Sequence, residues 1–382
     1  MKKLLLICFV LLLFLTSNIF ALQVGNTAPR LDVDKWLKNG PASIIIKASK
    51  DASVKPCRAI VFWGTWNPDL RNNILTLNYL QRRYKTAGLQ IIALSREPAK
   101  QIETVIKRFS INYALGADRG SRTTLEYMGD DHVFPKVFLV NPNREIIWKG
   151  EIVDLEGVLK KLFKGNFDVN RQVTINKLHT KLRLALRSFS SERAELIINN
   201  ILNIAPDDGF AVRAAMFIYD KSNRPTAALK FIEKRLKAVP DNMTYRLMKL
   251  RLLQQLAPDD LTIINKFAQQ TAKDFSQQPR ELNEFAWFLM NNFQFTPDVI
   301  LVALKSAKNA AAQMKTSKDI EQKIIINTTL ARAYSIAGNL EQALKLQEQT
   351  TQLITNPQDK KQSQSYEKYY RQLVKLHKRK IM

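Results

Sequence analysis

Cysteine, histidine and glycine are scarce: 382 residues carry two, three and twelve of them. Cys8 falls inside an N-terminal apolar run, so if that run is removed Cys57 is the one thiol left and an intramolecular disulfide is impossible. An oxidising compartment would then be used without a structural bridge. Neither a Cys-x-x-Cys nor a His-x-x-x-His occurs, and His132, His179 and His377 are far apart, which removes the common zinc spacings. Asp130-Asp131-His132 brings one imidazole to one turn and falls short of a metal site. The nearest approach to a phosphate loop, Gly116-Ala117-Asp118-Arg119-Gly120, lacks the Lys-Ser/Thr ending that phosphate chemistry needs. No cofactor and no metal are expected.

Acidic residues are also short, 34 against 59 Lys and Arg, for a formal charge of +25. The excess is spread along the chain: +9 over residues 22–165 and +14 over 166–382. A nucleic-acid protein gathers its charge on one face or arm, so nucleic acid is not an expected partner. Anionic envelope material, lipid head groups or acidic proteins suit the charge better, and a merely soluble basic surface explains it equally well. Long apolar runs are missing too. The run Leu4–Leu15 is 12 residues, short of the roughly 20 a spanning helix needs. Preceded by Lys2 and Lys3 and followed by Thr16 to Ala21, it reads as a secretory signal peptide over residues 1–21 with a cut before Leu22. Export follows, with no integral membrane domain after cleavage; an uncleaved anchor is the alternative.

Ten of the glycines and four of the five tryptophans precede Asn166. Short β-branched runs punctuated by glycine predict strands and turns, and glycine-poor amphipathic stretches predict helices. The chain therefore reads as an α/β domain over 22–165 and an all-α domain over 166–382. In the first, strands are expected at Ser43–Ile46, Ala59–Trp63, Leu89–Leu94, Lys136–Val140 and Glu145–Trp148, with helices at Arg71–Thr86, Ala99–Phe109 and Leu155–Phe163. From Ala59 onward the order β-α-β-α-β-β-α makes a mixed sheet covered on both faces.

The segment Phe62-Trp63-Gly64-Thr65-Trp66-Asn67-Pro68-Asp69-Leu70-Arg71 resembles the active segment of thioredoxin-like domains of the TlpA/redoxin type, Phe-Trp-Ala-Thr-Trp-Cys-x-x-Cys-Arg. The resemblance runs from Gly25-Asn26-Thr27-Ala28-Pro29 to Gly165. It takes in Gly88–Ser95 and Val133-Phe134-Pro135-Lys136, the segment that carries the family's cis-proline. It implies a bacterial periplasmic or envelope location and a thioredoxin fold, with Gly116–Gly120 as the loop before the last helix-strand crossover. The family's chemistry needs a thiolate at the helix N-terminus and a second cysteine to resolve the mixed disulfide, and here those positions are Asn67 and Leu70. Neither can attack or resolve a disulfide, so redox function is expected to be lost. The resemblance further implies a groove at Trp66, Asn67, Pro68, Asp69, Leu70, Phe134 and Pro135, where backbone beside the proline pairs with an extended peptide. The alternative is that these residues only form the fold. Cys57, in Lys55-Pro56-Cys57-Arg58, is either inert or a relocated thiol whose pKa two cations lower.

From Val173 onward, breaks recur at Ala205–Asp208, Asn223–Pro225, Val239–Asn242, Ala257–Asp260, Thr296–Asp298 and Asn356-Pro357. Pro206-Asp207 and Pro240-Asp241 are 34 residues apart, the tetratricopeptide period. Ile324–Ile354 resembles one such unit, with Ile326, Leu330, Ala333 and Ala337 on one face, Gly338-Asn339 as the turn, and Ala343, Leu346, Thr350 and Leu353 opposite. It departs from the pattern at Asn327, Gln347 and Thr350. Such arrays commonly bind peptides or proteins; a compact helical domain without a ligand is the alternative. The last stretch, Tyr366–Lys380, is amphipathic and basic, either a solvated helix end or an attachment to an anionic surface. The whole reads as an exported, redox-inactive scaffold or chaperone-like protein that binds proteins or peptides. The competing reading is a thiol-disulfide oxidoreductase working through Cys57 or a partner's cysteines.

Overall fold

The computed structural model describes residues 21–41, 55–258, 260–293 and 296–381; residues 1–20 of the expected leader and the strand expected at Ser43–Ile46 lie outside them. The chain divides into two compact units, Met1–Thr180 and Lys181–Met382.

In the first unit six strands form one sheet in the order β1-β4-β3-β2-β5-β6. These are β1 (Val33–Lys38), β2 (Cys57–Phe62), β3 (Leu89–Ser95), β4 (Ala114–Asp118), β5 (Lys136–Val140) and β6 (Ile146–Gly150). β2, β3 and β4 run parallel, whereas β1, β5 and β6 each pair antiparallel. The helices are α1 (Leu70–Tyr84), α2 (Ala99–Ile106), α3 (Arg122–Met128) and α4 (Ile152–Lys164). Alternation along β2 explains the layering. Ala59, Val61 and Trp63 pack with Ile74 and Leu80 of α1, Ile102 of α2 and Leu155 of α4. Ile60 and Phe62 pack on the other face with Tyr127 of α3 and with Ala28 and Leu31.

Two strands and one helix go beyond the sequence reading, and Gly116–Asp118 is strand rather than loop. β4 reads Ala-Leu-Gly-Ala-Asp, with no β-branched residue to signal a strand. Its glycine is there for contact, since a Cβ on Gly116 would sit 2.7 Å from Val33 Cγ1 on β1. β1 is an edge strand carrying Asp34, Lys35 and Lys38, the charge that keeps an edge from pairing further and also hides its period.

The second region is helical: α5 (Val169–Arg187), α6 (Ser191–Ile204), α7 (Gly209–Lys221), α8 (Pro225–Ala238), α9 (Met243–Leu256), α10 (Leu261–Asp274), α11 (Pro279–Asn292), α12 (Pro297–Gln313), α13 (Ile320–Ile336), α14 (Leu340–Gln352) and α15 (Pro357–Ile381). The unit division falls inside α5, beyond the composition change at Gly165. The start of α5 packs with the first unit, where the Val24 N–H donates to Asn176 Oδ1 (3.3 Å) and Val173 lies against Gly25. All six expected breaks separate helices, and the 34-residue interval from Pro206 to Pro240 holds one helix pair, α7 and α8. Asp208, Asn242 and Asp260 cap the helices that follow, each side chain accepting the backbone N–H three residues on. Sequential helices pack within α6–α10 and within α11–α15, and α9 with α11, α10 with α12 and α11 with α13 also meet.

The expected unit is α13 and α14, with Ile326, Leu330, Ala333, Ala343 and Thr350 buried and Gly338 turning the chain at φ +80°. Gln347, one of its departures, is explained by α15: its Nε2 donates to Ser363 Oγ at 2.7 Å.

Candidate functional site

β2 ends at Phe62, and the Trp63 N–H still donates to Leu94 O of β3 (3.1 Å). The chain then crosses Gly64 to Asp69 before α1 starts at Leu70. Trp66 folds back over Gly64, where a Cβ would run into the indole. The alanine of the resembling pattern would not fit beneath it. So placed, Trp66 is 52 % exposed and meets Phe134 edge to face, ring centroids 5.9 Å apart. The Arg96 guanidinium stands 5.7 Å from the Trp66 centroid and 5.3 Å from that of Phe134, within cation–π range of both.

Asn67 stands where an attacking cysteine would be, and its amide ties the loop together. Its Oδ1 accepts the Asp69 N–H (2.8 Å) and the Asn73 amide (3.3 Å). Its Nδ2 donates to Phe134 O (3.4 Å), across to the segment that precedes Pro135. The Phe134–Pro135 peptide is cis. Leu70, in the resolving position, is half-buried against the core. With Trp63, Gly64, Asn67, Asn73 and Pro135 it lines a cleft of about 10 Å³, space for about one water and far below the ~300 Å³ of a small-molecule pocket. Pro68 and Asp69 are exposed at the rim.

The loop is braced from β3. Buried Glu97 accepts the Thr65 N–H (2.7 Å), the Thr65 hydroxyl (2.5 Å) and the Ser95 hydroxyl (3.0 Å). The Gln101 amide of α2 also donates to Glu97, at 2.5 Å. Below the cis-proline segment, Asp131 lies 3.2 Å from Lys136 Nζ and 3.8 Å from Lys149 Nζ, both lysines buried. Burial alone would raise the Asp131 carboxyl, but Lys136, the Val133 N–H and Lys149 outweigh it and hold it below the usual aspartate range.

Cys57 lies at the other end of β2, ~17 Å of strand away. It is 2 % exposed, and burial pushes its thiol up to about 12. The flanking cations do not make it reactive. The structure thus brings Trp66, Asn67, Leu70, Phe134 and Pro135 together and leaves Cys57 apart. Sequence reasoning missed Arg96, Glu97, Lys136 and Lys149; the signal for the first two was an Arg-Glu-Pro directly after a strand aimed at this loop. Among the described residues no group of three or more His, Cys, Asp or Glu is placed to hold a metal.

No family model matches the chain. Among curated proteins it is similar to the thiol-disulfide oxidoreductase ResA of Bacillus cereus, 27 % identical over 106 residues, 26 % of this chain and 60 % of that protein. It is also similar to ResA of Geobacillus kaustophilus, 29 % identical over 86 residues, 22 % of this chain and 48 % of that protein. The chain thus spans about half to 60 % of the length of these relatives. Similar solved structures include a thiol:disulfide interchange protein from Bacteroides sp., with 18 % identity, 37 % of this chain, 91 % of that one and a TM-score of 0.31. StoA from Bacillus subtilis gives 17 %, 27 %, 82 % and 0.24. By its strand order and the ResA similarity, the first unit is a thioredoxin-like domain with Cys57 as the one cysteine among its described residues, and a long all-helical region follows it.

Proposed function

We propose that this protein is an exported, redox-inactive binding protein of the bacterial envelope, whose thioredoxin-like domain holds an extended polypeptide at the Trp66/Phe134 edge without exchanging disulfides. The observation that carries the reading is the state of the two positions that should hold thiols. Asn67 has no nucleophile and its amide is already committed to Asp69, Asn73 and Phe134. Leu70 is part of the core packing. What the edge does offer is an exposed indole, a neighbouring phenyl ring and a guanidinium over both, a surface suited to apolar and aromatic side chains. The helical region supplies a second candidate surface for proteins, in the manner of a scaffold or chaperone. The relatives' names support another reading, disulfide exchange through Cys57 or with a partner's cysteines.

Both are tested on one preparation of the full chain with a panel of immobilised unstructured peptides, insulin reduction and mixed-disulfide trapping. Peptide retention is expected to fall at least tenfold in Trp66→Ala and to be untouched by Cys57→Ser, with no insulin reduction by either. Retention that ignores Trp66 defeats the proposed groove. Insulin reduction that disappears with Cys57 makes the protein an oxidoreductase.

A further inference from the structure

The terminal helix α15 sorts its charges by face. At 3.6 residues per turn, Lys361, Lys368, Lys375 and Arg379 fall within about 40° of one another, on the side opposite buried Tyr370. They form a straight row about 27 Å long at 1.5 Å per residue. All four are exposed, and none has an ion pair among the described residues. The two acids of the helix, Asp359 and Glu367, are partly buried and lie on the packed side. The acids that α14 presents are taken by cations at the margins of the row: Glu348 by Arg371 (2.7 Å) and Glu341 by Lys378 (2.8 Å). Beside the row, on one flank, stand Tyr369 and Leu376, 53 % and 54 % exposed.

A helix end needs a cation or two in its last turn to suit its dipole. It does not need a row about five turns long begun at Lys361. Nor does solubility sort acids to the packed side. We infer that the outer face of α15 lies on an anionic lipid surface, the cations engaging head groups and Tyr369 and Leu376 entering the head-group boundary. Charge complementarity selects this occupant. A flat, negative surface meets a straight row of cations along its whole length, and apolar flanking groups have somewhere to go. A soluble polyanion would leave Tyr369 and Leu376 in water. The helix rests on the bilayer and does not cross it; no described helix is long and apolar enough for that.

The test is flotation of the full chain with phosphatidylglycerol/phosphatidylcholine (30:70) vesicles, beside pure phosphatidylcholine, at about 0.05 and 0.3 M salt. Each cation near such a surface is worth about fivefold in affinity, so Lys361, Lys368, Lys375 and Arg379 together replaced by Gln should cost a hundredfold or more at low salt. Replacing Lys100, Lys107, Lys160 and Lys237, exposed on other elements, makes the same change in net charge and should cost less than threefold. Tyr369→Ser/Leu376→Ser should remove the binding that survives high salt. Unchanged circular dichroism and unfolding temperature keep the comparison one of surface. Equal losses in the two four-site variants, equal binding to phosphatidylcholine, or displacement from vesicles by equimolar heparin or duplex DNA would each overturn the assignment.

Discussion

The two ends of β2 have divided between them what a redox site needs in one place. At the Cys57 end there is a thiol but no use for it. It is buried, and its thiolate is suppressed by desolvation. At the Asn67 end there is a loop open to solvent, a helix start, a cis-proline segment and an exposed indole beside a half-buried phenyl ring, but no thiol. Reactivity belongs to the coincidence of group and place, not to either alone. That a loop without its nucleophile is still braced by Glu97 and stapled by Asn67 separates the architecture of the edge from the chemistry usually done there.

The contrast is broken most strongly by moving the thiol. Cys57→Ser/Asn67→Cys moves the thiol from residue 57 to where the Asp69 N–H already reaches an oxygen of residue 67. With a thiol at or below its usual ~8.5 against about 12 for Cys57, alkylation by iodoacetamide at pH 7.5, read at residue 67, should exceed that at Cys57 of the native chain by more than about a thousandfold. Adding Leu70→Cys should then confer insulin reduction. Equal alkylation rates would mean that the two ends do not differ in the way their burial says.

The next effect is on stability at the Asn67 end. Asp131→Asn takes away the carboxylate facing buried Lys136 and Lys149 and should cost about 3–5 kcal/mol in urea unfolding. Because the Asp131 carboxyl is held below its unfolded value, its contribution is present above about pH 4 and is lost as the pH falls through the depressed value. The variant should therefore lose less stability on acidification than the native chain.

Cys57 gives the opposite dependence. Its folded pKa is raised, so the protonated thiol favours the fold, and that advantage is full below the unfolded value of about 8.5 and shrinks as the pH rises towards 12. The native chain should lose about 1.4 kcal/mol per pH unit more than Cys57→Ala between pH 9 and 11. Matching slopes would show an accessible thiol.

How far these features were legible follows from what kind of signal each leaves. The strands β2, β3 and β5 are continuous apolar runs, and the helices of the second region carry capping Asp and Asn after their prolines, so both were readable. β4 was not, because Gly116 is there to let β1 approach, and close approach has no period. Of the site, Trp66, Asn67, Leu70, Phe134 and Pro135 were found because their order along the chain resembles a known pattern. Arg96 and Glu97 were not, because they reach the loop across the sheet from β3. Gln347 looked like a fault in a repeat until Ser363 of α15 supplied its partner.

The smallest effect sharpens the comparison most. If Asn67 merely fills the place of a lost cysteine, Asn67→Ala should be silent in stability and in peptide retention. Its amide instead bridges the start of α1 and the carbonyl of Phe134, and a net hydrogen bond is worth about 1 kcal/mol. Asn67→Ala should thus lower stability by about 1–2 kcal/mol and loosen Phe134 against Trp66, weakening peptide retention a few-fold while leaving the Cys57 slope intact. Asn67→Asp separates position from charge. It keeps the acceptor for Asp69 but loses the donor to Phe134, and it sets a carboxylate beside exposed Asp69. A loss in Asn67→Asp as large as in Asn67→Ala would place the value of the residue in its link to the cis-proline segment, the half of the edge that no thiol could have held in the same way.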